Sequence, residues 1–462
     1  MSNPRNAPHG FAFTQDQFRQ IVEDTLAEAR KLGASDAGAE VSEGMGLSVS
    51  VRKGELENVE RNRDKSLGVS VYLGQRRGNA STSDFSAAAI RQTVQAAYDI
   101  ARFTAEDPAA GLPEAEDLAS AEEAARDLDL FHPWDIDAAA AAAIAHSCED
   151  AALAVSRHIT NSEGAGVSAQ QAHFWAGNTR GFRGGYASSR HYVSVSPIAT
   201  RPGSRGRDMQ RDAWYTSMRD ASELADPEEV GRYAARRALA RLGARRVPTG
   251  EVPVLFEAPV AAGLVSSFVG AVSGGSLYRK ASFLVGALGQ KVLADHLDLD
   301  EDPHVRKGKG SAPFDDEGVR TRARRVVDAG VVQGYFLSSY SARKLGMRTT
   351  GHAGGSQNLV LTSRLTQPGD DLDAMLRKLH RGLFVTELMG QGVNMVTGDY
   401  SRGAAGYWVE GGRIVHPVHE VTIAGNLKDM LRDIVAVGAD GYTQGSKTVG
   451  SVLLARMKLA GS

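Results

Sequence analysis

Of the 51 glycines in this 462-residue chain, 20 lie before residue 247 and 31 fall in the 216 residues from there on. Glycine alone accepts positive φ freely and lets two backbones meet where a Cβ would clash. The two stretches therefore cannot be built alike, and the second calls for tight turns and close strand crossings. The change coincides with a break: the run Arg245-Arg246-Val247-Pro248-Thr249-Gly250 ends a helical pattern. We place a domain boundary there, giving residues 1–246 and 247–462. A chain of this length suits two or three domains at about 150 residues each.

The first half reads as helices alternating with antiparallel strands. Thr14 and Gln17 form a capping-box pattern ahead of Phe18, Ile21, Val22, Leu26, Ala29 and Leu32, with Gly33 as the stop. Leu47, Val49 and Val51, then Leu67, Val69, Val71 and Leu73, alternate as half-buried strands do. A second helix is expected from near Asp84 and an alanine-rich third over 135–157, joined by an acidic, solvated connector from Glu106 to Asp129. Strands return between His173 and Met218. Asp226-Pro227-Glu228-Glu229 then opens a helix with a cap, a proline at the first position and acids in the first turn. The second half is read as mainly β. Val326 to Val332 predicts strand, tight turn, strand, and Gly411-Gly412 predicts a two-residue hairpin. One helix interrupts, from Asp371 to Gly382. The fold class is thus α+β: an N-terminal domain of helices on antiparallel sheet, and a glycine-rich, barrel- or sandwich-like C-terminal domain.

Bulk properties narrow the function. With 53 basic and 55 acidic residues the net charge is −2, against the basic surface that nucleic-acid binding needs. Cys148 stands alone, so no intrachain disulfide forms. Met1 to Gly10 holds two prolines and no apolar core of a signal peptide. The longest all-apolar run, Ala138 to Ala145, falls far short of the ~20 residues of a membrane helix. The expectation is a soluble, cytoplasmic protein.

Twelve histidines make metal the first chemistry to test. His419-Glu420 is the single His-Glu pair, and Ile423 and Ala424 stand where a second ligand would follow. His416 and His419 lie three apart on a predicted strand, hence on opposite faces. Asp298, Asp300 and Asp302 mimic the opening of a calcium loop, but Pro303 and Lys309 occupy the positions that require glycine and glutamate. Asp315-Asp316-Glu317-Gly318 reads as a turn, with a functional carboxylate as the minority reading. Ser341-Ala342-Arg343-Lys344 matches the S-x-x-K of penicilloyl serine transferases, with only Lys447-Thr448-Val449-Gly450 approximating its companion. Gly445 to Thr448 lacks the Gly-Lys order of a phosphate loop. Cys148, in an alanine-rich helix, reads as an inert buried thiol. Two polar stretches bracketed by glycine remain: Gly274 to Lys280, and Gly390 to Gly403. Exposed backbone beside Asn, Thr, Asp and Arg suits an extended peptide held by its main chain, or else makes tight β-corners.

Three segments carry a resemblance. Gly382 to Glu410 (GLFVTELMGQGVNMVTGDYSRGAAGYWVE), Pro417 to Leu427 (PVHEVTIAGNL) and Ser311 to Gly318 (SAPFDDEG) closely resemble the PmbA/TldE family. The likeness covers most of the chain and is strongest after residue 250. It implies a subunit that pairs with a homologous TldD chain in a cytoplasmic zinc-dependent peptidase, which trims leader peptides and degrades unfolded peptides; an older family label is modulator of DNA gyrase. In TldD an H-E-x-x-x-H helix and a late cysteine hold the zinc. Aligned with that helix, this chain offers Glu257 for the first histidine, Ala258 for the glutamate and Ala262 for the second histidine, and it has no cysteine after 148. Alanine can neither ligate metal nor accept a proton.

The reading is therefore a TldE-like subunit without catalytic residues or metal of its own, zinc being expected on the TldD-like partner. Ser276, Tyr278, Arg279, Asn394, Thr397, Asp399 and Arg402 are the candidates for substrate or partner contact. A homodimer is the alternative assembly for the isolated chain. Two other functional classes stand beside this reading: a self-sufficient hydrolase with an unrecognised ligand set, and a regulatory binding protein. Neither membrane nor direct nucleic-acid contact is expected.

Overall fold

The computed structural model describes residues 10–204 and 206–461; apart from Gly10, the Met1–Gly10 stretch read for a signal peptide lies outside them. The first helix, Gln15–Lys31, starts on the Thr14–Gln17 capping box and buries Phe18, Val22, Leu26 and Ala29. The two expected short strands prove to be halves of long ones, Asp36–Arg52 and Glu55–Leu73. Glycines and acids hid the first half of Asp36–Arg52, and a charged, exposed run hid that of Glu55–Leu73, because both break the apolar alternation while still pairing through the backbone. Those strands and Ile159–Asn178, Ala187–Thr200 and Trp214–Met218 build an eight-stranded antiparallel sheet. Helices Gln15–Lys31 and Ala87–Phe103 cover one end of its helical face. Helices Ala138–Ala154 and Pro227–Ala240 cover the other. The second of these helices begins on Asp226, whose carboxylate accepts the N–H groups of Glu228 and Glu229.

The acidic connector differs from the solvated link expected of it. Leu112, Leu118, Ala124 and Leu128 are buried. Its acids grip the C-terminal half: Asp107 with Lys344 at 2.7 Å and Glu114 with Arg343 at 3.0 Å. Its charges read as solvent-seeking because their partners lie more than 200 residues away.

Beyond residue 249 the chain forms two further sheets. Strands Arg413–Asn426, Asp399–Glu410, Gly382–Met389, Gly250–Phe256 and Val452–Ala460 pair in that order. The first pairs again with the last, through Thr422–Ala460, Ile423–Leu459 and Ala424–Lys458, closing a five-stranded barrel. The other sheet is built around Leu297–Asp302, paired with Arg324–Asp328 and Asn358–Ser363. Helix Ala258–Ala271 lies between them, its Ala261, Leu264, Val265 and Phe268 in one core with Val254, Leu299, Leu359 and Val385. The excess glycine is used as expected. Gly411 and Gly412, at φ 57° and 73°, make the hairpin turn, and a Cβ at Gly392 would stand 1.5 Å from the Ser401 carbonyl oxygen.

Candidate functional site

Glu257 caps the helix Ala258–Ala271, and its carboxylate is committed elsewhere. Both of its oxygens accept from Arg237, at 2.6 and 3.0 Å, a bidentate pair with both side chains about one-eighth exposed. Arg237 also meets Asp212 at 3.1 Å. Asp212 holds Arg241 at 3.0 Å, and Arg241 reaches Glu387. Burial works against the Arg237 charge, but the hydrogen bond and charge of Glu257, the charge of Asp212 and the Tyr233 hydroxyl together outweigh it, so the guanidinium stays protonated. This network ties helix Pro227–Ala240 to the start of Ala258–Ala271 and to strand Gly382–Met389. Ala258 and Ala262 are buried methyl groups in the first turns of that helix. Among the described residues, no three His, Cys, Asp or Glu side chains group as a metal site.

The Gly390–Gly403 stretch packs at the far end of that helix, against Gly270 and Phe283 on either side of the Gly274–Lys280 stretch. Gly274–Tyr278 is a short helix, neither an extended segment nor a β-corner. The Phe283 N–H donates to the Met395 carbonyl at 2.8 Å. Most of the polar side chains here are already engaged. Ser273 Oγ donates to Ser276 Oγ at 3.2 Å. Arg279 lies over the Tyr278 ring and donates to its hydroxyl at 3.2 Å, and Tyr278 meets Tyr340 edge-on. Asn394 Oδ1 accepts the N–H groups of Val396 and Thr397. Thr397 and then Asn426 donate to Asp399 and hold its carboxyl below the usual range. Arg402 differs, since its Nε is buried without a hydrogen-bond partner. The Gly390–Gly403 loop is thus shaped by the same side chains that were singled out for contact, and among these Arg402 Nε is the donor without a partner.

The motifs that failed in sequence have local occupations. Lys344 turns to Asp107, while Ser341, 4% exposed, donates to the Ser338 carbonyl at 3.2 Å. Lys344 and Tyr340 together pull the Asp107 carboxyl down to about 2. His416 is bonded to the Pro417 carbonyl, and His419 lies 3.8 Å from Glu420. Asp298 is held by Arg364 and Asp300 by Arg325. Burial raises the Cys148 thiol to about 12, which leaves it inert.

A cleft of about 680 Å³ opens between the N-terminal sheet and the C-terminal domain, and sequence reasoning did not find it. Glu40, on strand Asp36–Arg52, faces the Asp315–Gly318 turn there, with Tyr72, Phe174, Phe182, Tyr186 and Phe314 among the walls. The turn reading holds: Asp315 accepts the N–H groups of Glu317, Val319 and Ala353. Burial nonetheless lifts Asp315 to about 7, against those three donors. Burial, then the neighbouring carboxylate, also raises Glu40 (through Asp316) and Asp316 (through Glu317). No spacing in the sequence could have linked Glu40 to Asp316. What joins them is the packing of the Asp315–Gly318 turn across the N-terminal sheet.

Comparison with known proteins fits this architecture. Three family models match in chain order: PmbA/TldA metallopeptidase domain 1 over residues 39–101, the central domain over 131–242 and the C-terminal domain over 249–461. The chain is 49% identical over 447 residues to Metalloprotease PmbA of Escherichia coli O157:H7, covering 96% of this chain and 97% of that one. It is 45% identical to the PmbA homologue of Haemophilus influenzae, covering 97% of each. That organism also carries a TldD homologue, 27% identical over 212 residues and 44% of each chain. A putative modulator of DNA gyrase from Bacteroides thetaiotaomicron superposes with a TM-score of 0.90 at 25% identity, over 97% of this chain and 100% of that one. TldE from Thermococcus kodakarensis shares the fold, with a TM-score of 0.81 at 18% identity over 96% and 100%. No helix among the described residues is long and apolar enough to cross a membrane. On these matches, spanning almost its whole length, the chain belongs to the PmbA/TldD metallopeptidase family.

Proposed function

We propose that this chain is the non-catalytic, TldE-like subunit of a cytoplasmic zinc-dependent peptidase that processes leader peptides and degrades unfolded ones. The observation that carries this reading is the start of helix Ala258–Ala271. The family name implies a metal, and the residues aligned with the metal helix do not fit one. Glu257 spends both oxygens on Arg237, and Ala258 and Ala262 have no donor atom. A bidentate guanidinium would have to be displaced before Glu257 could ligate anything, leaving a buried cation short of its partner. Zinc, general base and attacking water accordingly belong to a TldD-like partner.

In this reading the chain walls the chamber and holds peptide extended. Residues 1–246 and 247–462 act as two domains joined by the Arg237–Glu257 network. Ser276, Tyr278, Arg279, Asn394, Thr397, Asp399 and Arg402 mark the surface offered to substrate or partner, with Arg279 and Arg402 supplying cationic donors to peptide carbonyls.

The test is to assay the purified chain alone, and mixed with a TldD-like subunit, on an unfolded peptide, with zinc measured in each chain. Activity that appears on mixing, with metal on the partner, is the expected result. Stoichiometric zinc and chelator-sensitive cleavage by this chain alone would overturn the reading.

A further inference from the structure

Three cations gather where the N-terminal sheet meets the C-terminal domain, and no carboxylate answers them. Arg190 projects from strand Ala187–Thr200 on the side opposite the helix-covered Val193 and Val195. Arg219 follows strand Trp214–Met218, and Lys309 sits in the Gly308–Gly310 loop of the other domain. Arg190 Nη2 and Arg219 Nη2 donate to one and the same oxygen, the Lys309 carbonyl, at 3.0 and 3.3 Å. Arg219 donates in addition to the carbonyls of Gly308 and Ser189. Among the described residues none of the three forms an ion pair. Arg219 is 8% exposed, and Arg190 Nε is buried with no hydrogen-bond partner.

Such an arrangement is costly for an empty protein. A buried charge is ordinarily paired, and like charges side by side add repulsion to the loss of hydration. Burial first, then the charge of Arg190, lowers the proton affinity of both Arg219, to about 10, and Lys309. The side chains beside them are phenols rather than carboxylates, Tyr215 by Arg190 and Tyr186 by Arg219. Two guanidinium forks that meet at one carbonyl oxygen, with the Lys309 ammonium within electrostatic reach of Arg190, supply the kind of donors that oxyanions fit best.

We infer that Arg190, Arg219 and Lys309 form a binding site for an anionic oxygen group, a peptide C-terminal carboxylate or a phosphate. The surroundings favour the carboxylate. Tyr186 lies within electrostatic reach both of Arg219 and of Asp316 and Glu40 of the acidic cleft. Along strand Ile159–Asn178, Arg190 pairs with Gln170 and Glu40 with Ala176. Six residues at about 3.4 Å each put the basic and acidic ends about 20 Å apart. That is the span of an extended peptide of about six residues, with its ammonium toward Glu40 and Asp316 and its carboxylate on the three cations. The choice of peptide rests on the reading of this chain as a peptide-holding subunit; the anion site does not.

The test is calorimetric titration of the full chain with a neutral hexapeptide bearing free termini, with its C-terminal amide, and with inorganic phosphate. The free acid is expected to bind at least tenfold more tightly than the amide. Lys309→Gln and Arg190→Gln should each remove that preference while the melting temperature stays close to the parent's. Phosphate binding that Lys309→Gln removes, with the free acid ignored, keeps the anion site and overturns the peptide occupant, without bearing on where the zinc lies. Equal binding of acid and amide together with no phosphate binding, or binding that neither substitution weakens, overturns the site.

Discussion

Glu257 is where a structural anchor and a vestigial metal position make opposite predictions. Its two bonds to Arg237, at 2.6 and 3.0 Å, are charge-assisted and only about one-eighth exposed. Glu257→Gln keeps one acceptor oxygen and loses the other bond, worth roughly 1.5–3 kcal/mol for a charged pair. Arg237 keeps Asp212 at 3.1 Å, so the remaining cation is not abandoned and the loss belongs in that range. Glu257→Ala removes both bonds and the negative group at the helix start, and approaches the ~3–5 kcal/mol of a broken buried pair. Urea unfolding followed by tryptophan fluorescence reads this locally, because the Trp214 ring lies 5.1 Å from the Arg237 guanidinium. Zinc in the mixture with a TldD-like subunit should be the same for parent and both variants. A stability loss under about 1 kcal/mol for Glu257→Ala, or a loss of zinc with it, would refute the anchor.

Asp315, lifted to about 7 by burial, makes stability depend on pH in an unusual direction. Above about pH 4 the unfolded chain loses a proton that the folded chain keeps. Stability should therefore fall by up to roughly 4 kcal/mol as pH rises from 4 to 7 and level off above that. Asp315→Asn should flatten this segment of the urea midpoint profile, and parallel profiles would exclude the assignment. Gly231→Ala, in helix Pro227–Ala240, gains about 1 kcal/mol of helix propensity, yet its Cβ would stand 2.1 Å from the Cys148 carbonyl oxygen. The overpacking should win, with a net loss of about 1–3 kcal/mol in thermal or urea unfolding; a stabilised variant would contradict it. Ser341→Ala should leave the peptidase rate of the mixed subunits unchanged, since Lys344 serves Asp107. A tenfold drop in that rate at unchanged stability would revive the serine-hydrolase reading.

Helix starts and the hairpin follow from a few neighbouring residues. Thr14, Asp226 and Asp371 each start a helix by accepting N–H groups two or three residues on, and Gly411-Gly412 makes its hairpin because both positions take positive φ. The absence of ligating atoms at Ala258 and Ala262 was also legible, since it is a matter of composition. The tertiary structure alone decided which distant charges meet. Glu257 looked like a lost ligand until Arg237 stood beside it, and the acidic connector looked solvated until Lys344 and Arg343 closed on it. Barrel closure between Arg413–Asn426 and Val452–Ala460, the cleft joining Glu40 to Asp316, and the three unanswered cations share that origin. Local signals act through backbone geometry over one turn, whereas burial and Coulomb forces act across space. Residues far apart in the chain acquire their energies only when packing sets the distance and excludes the water between them.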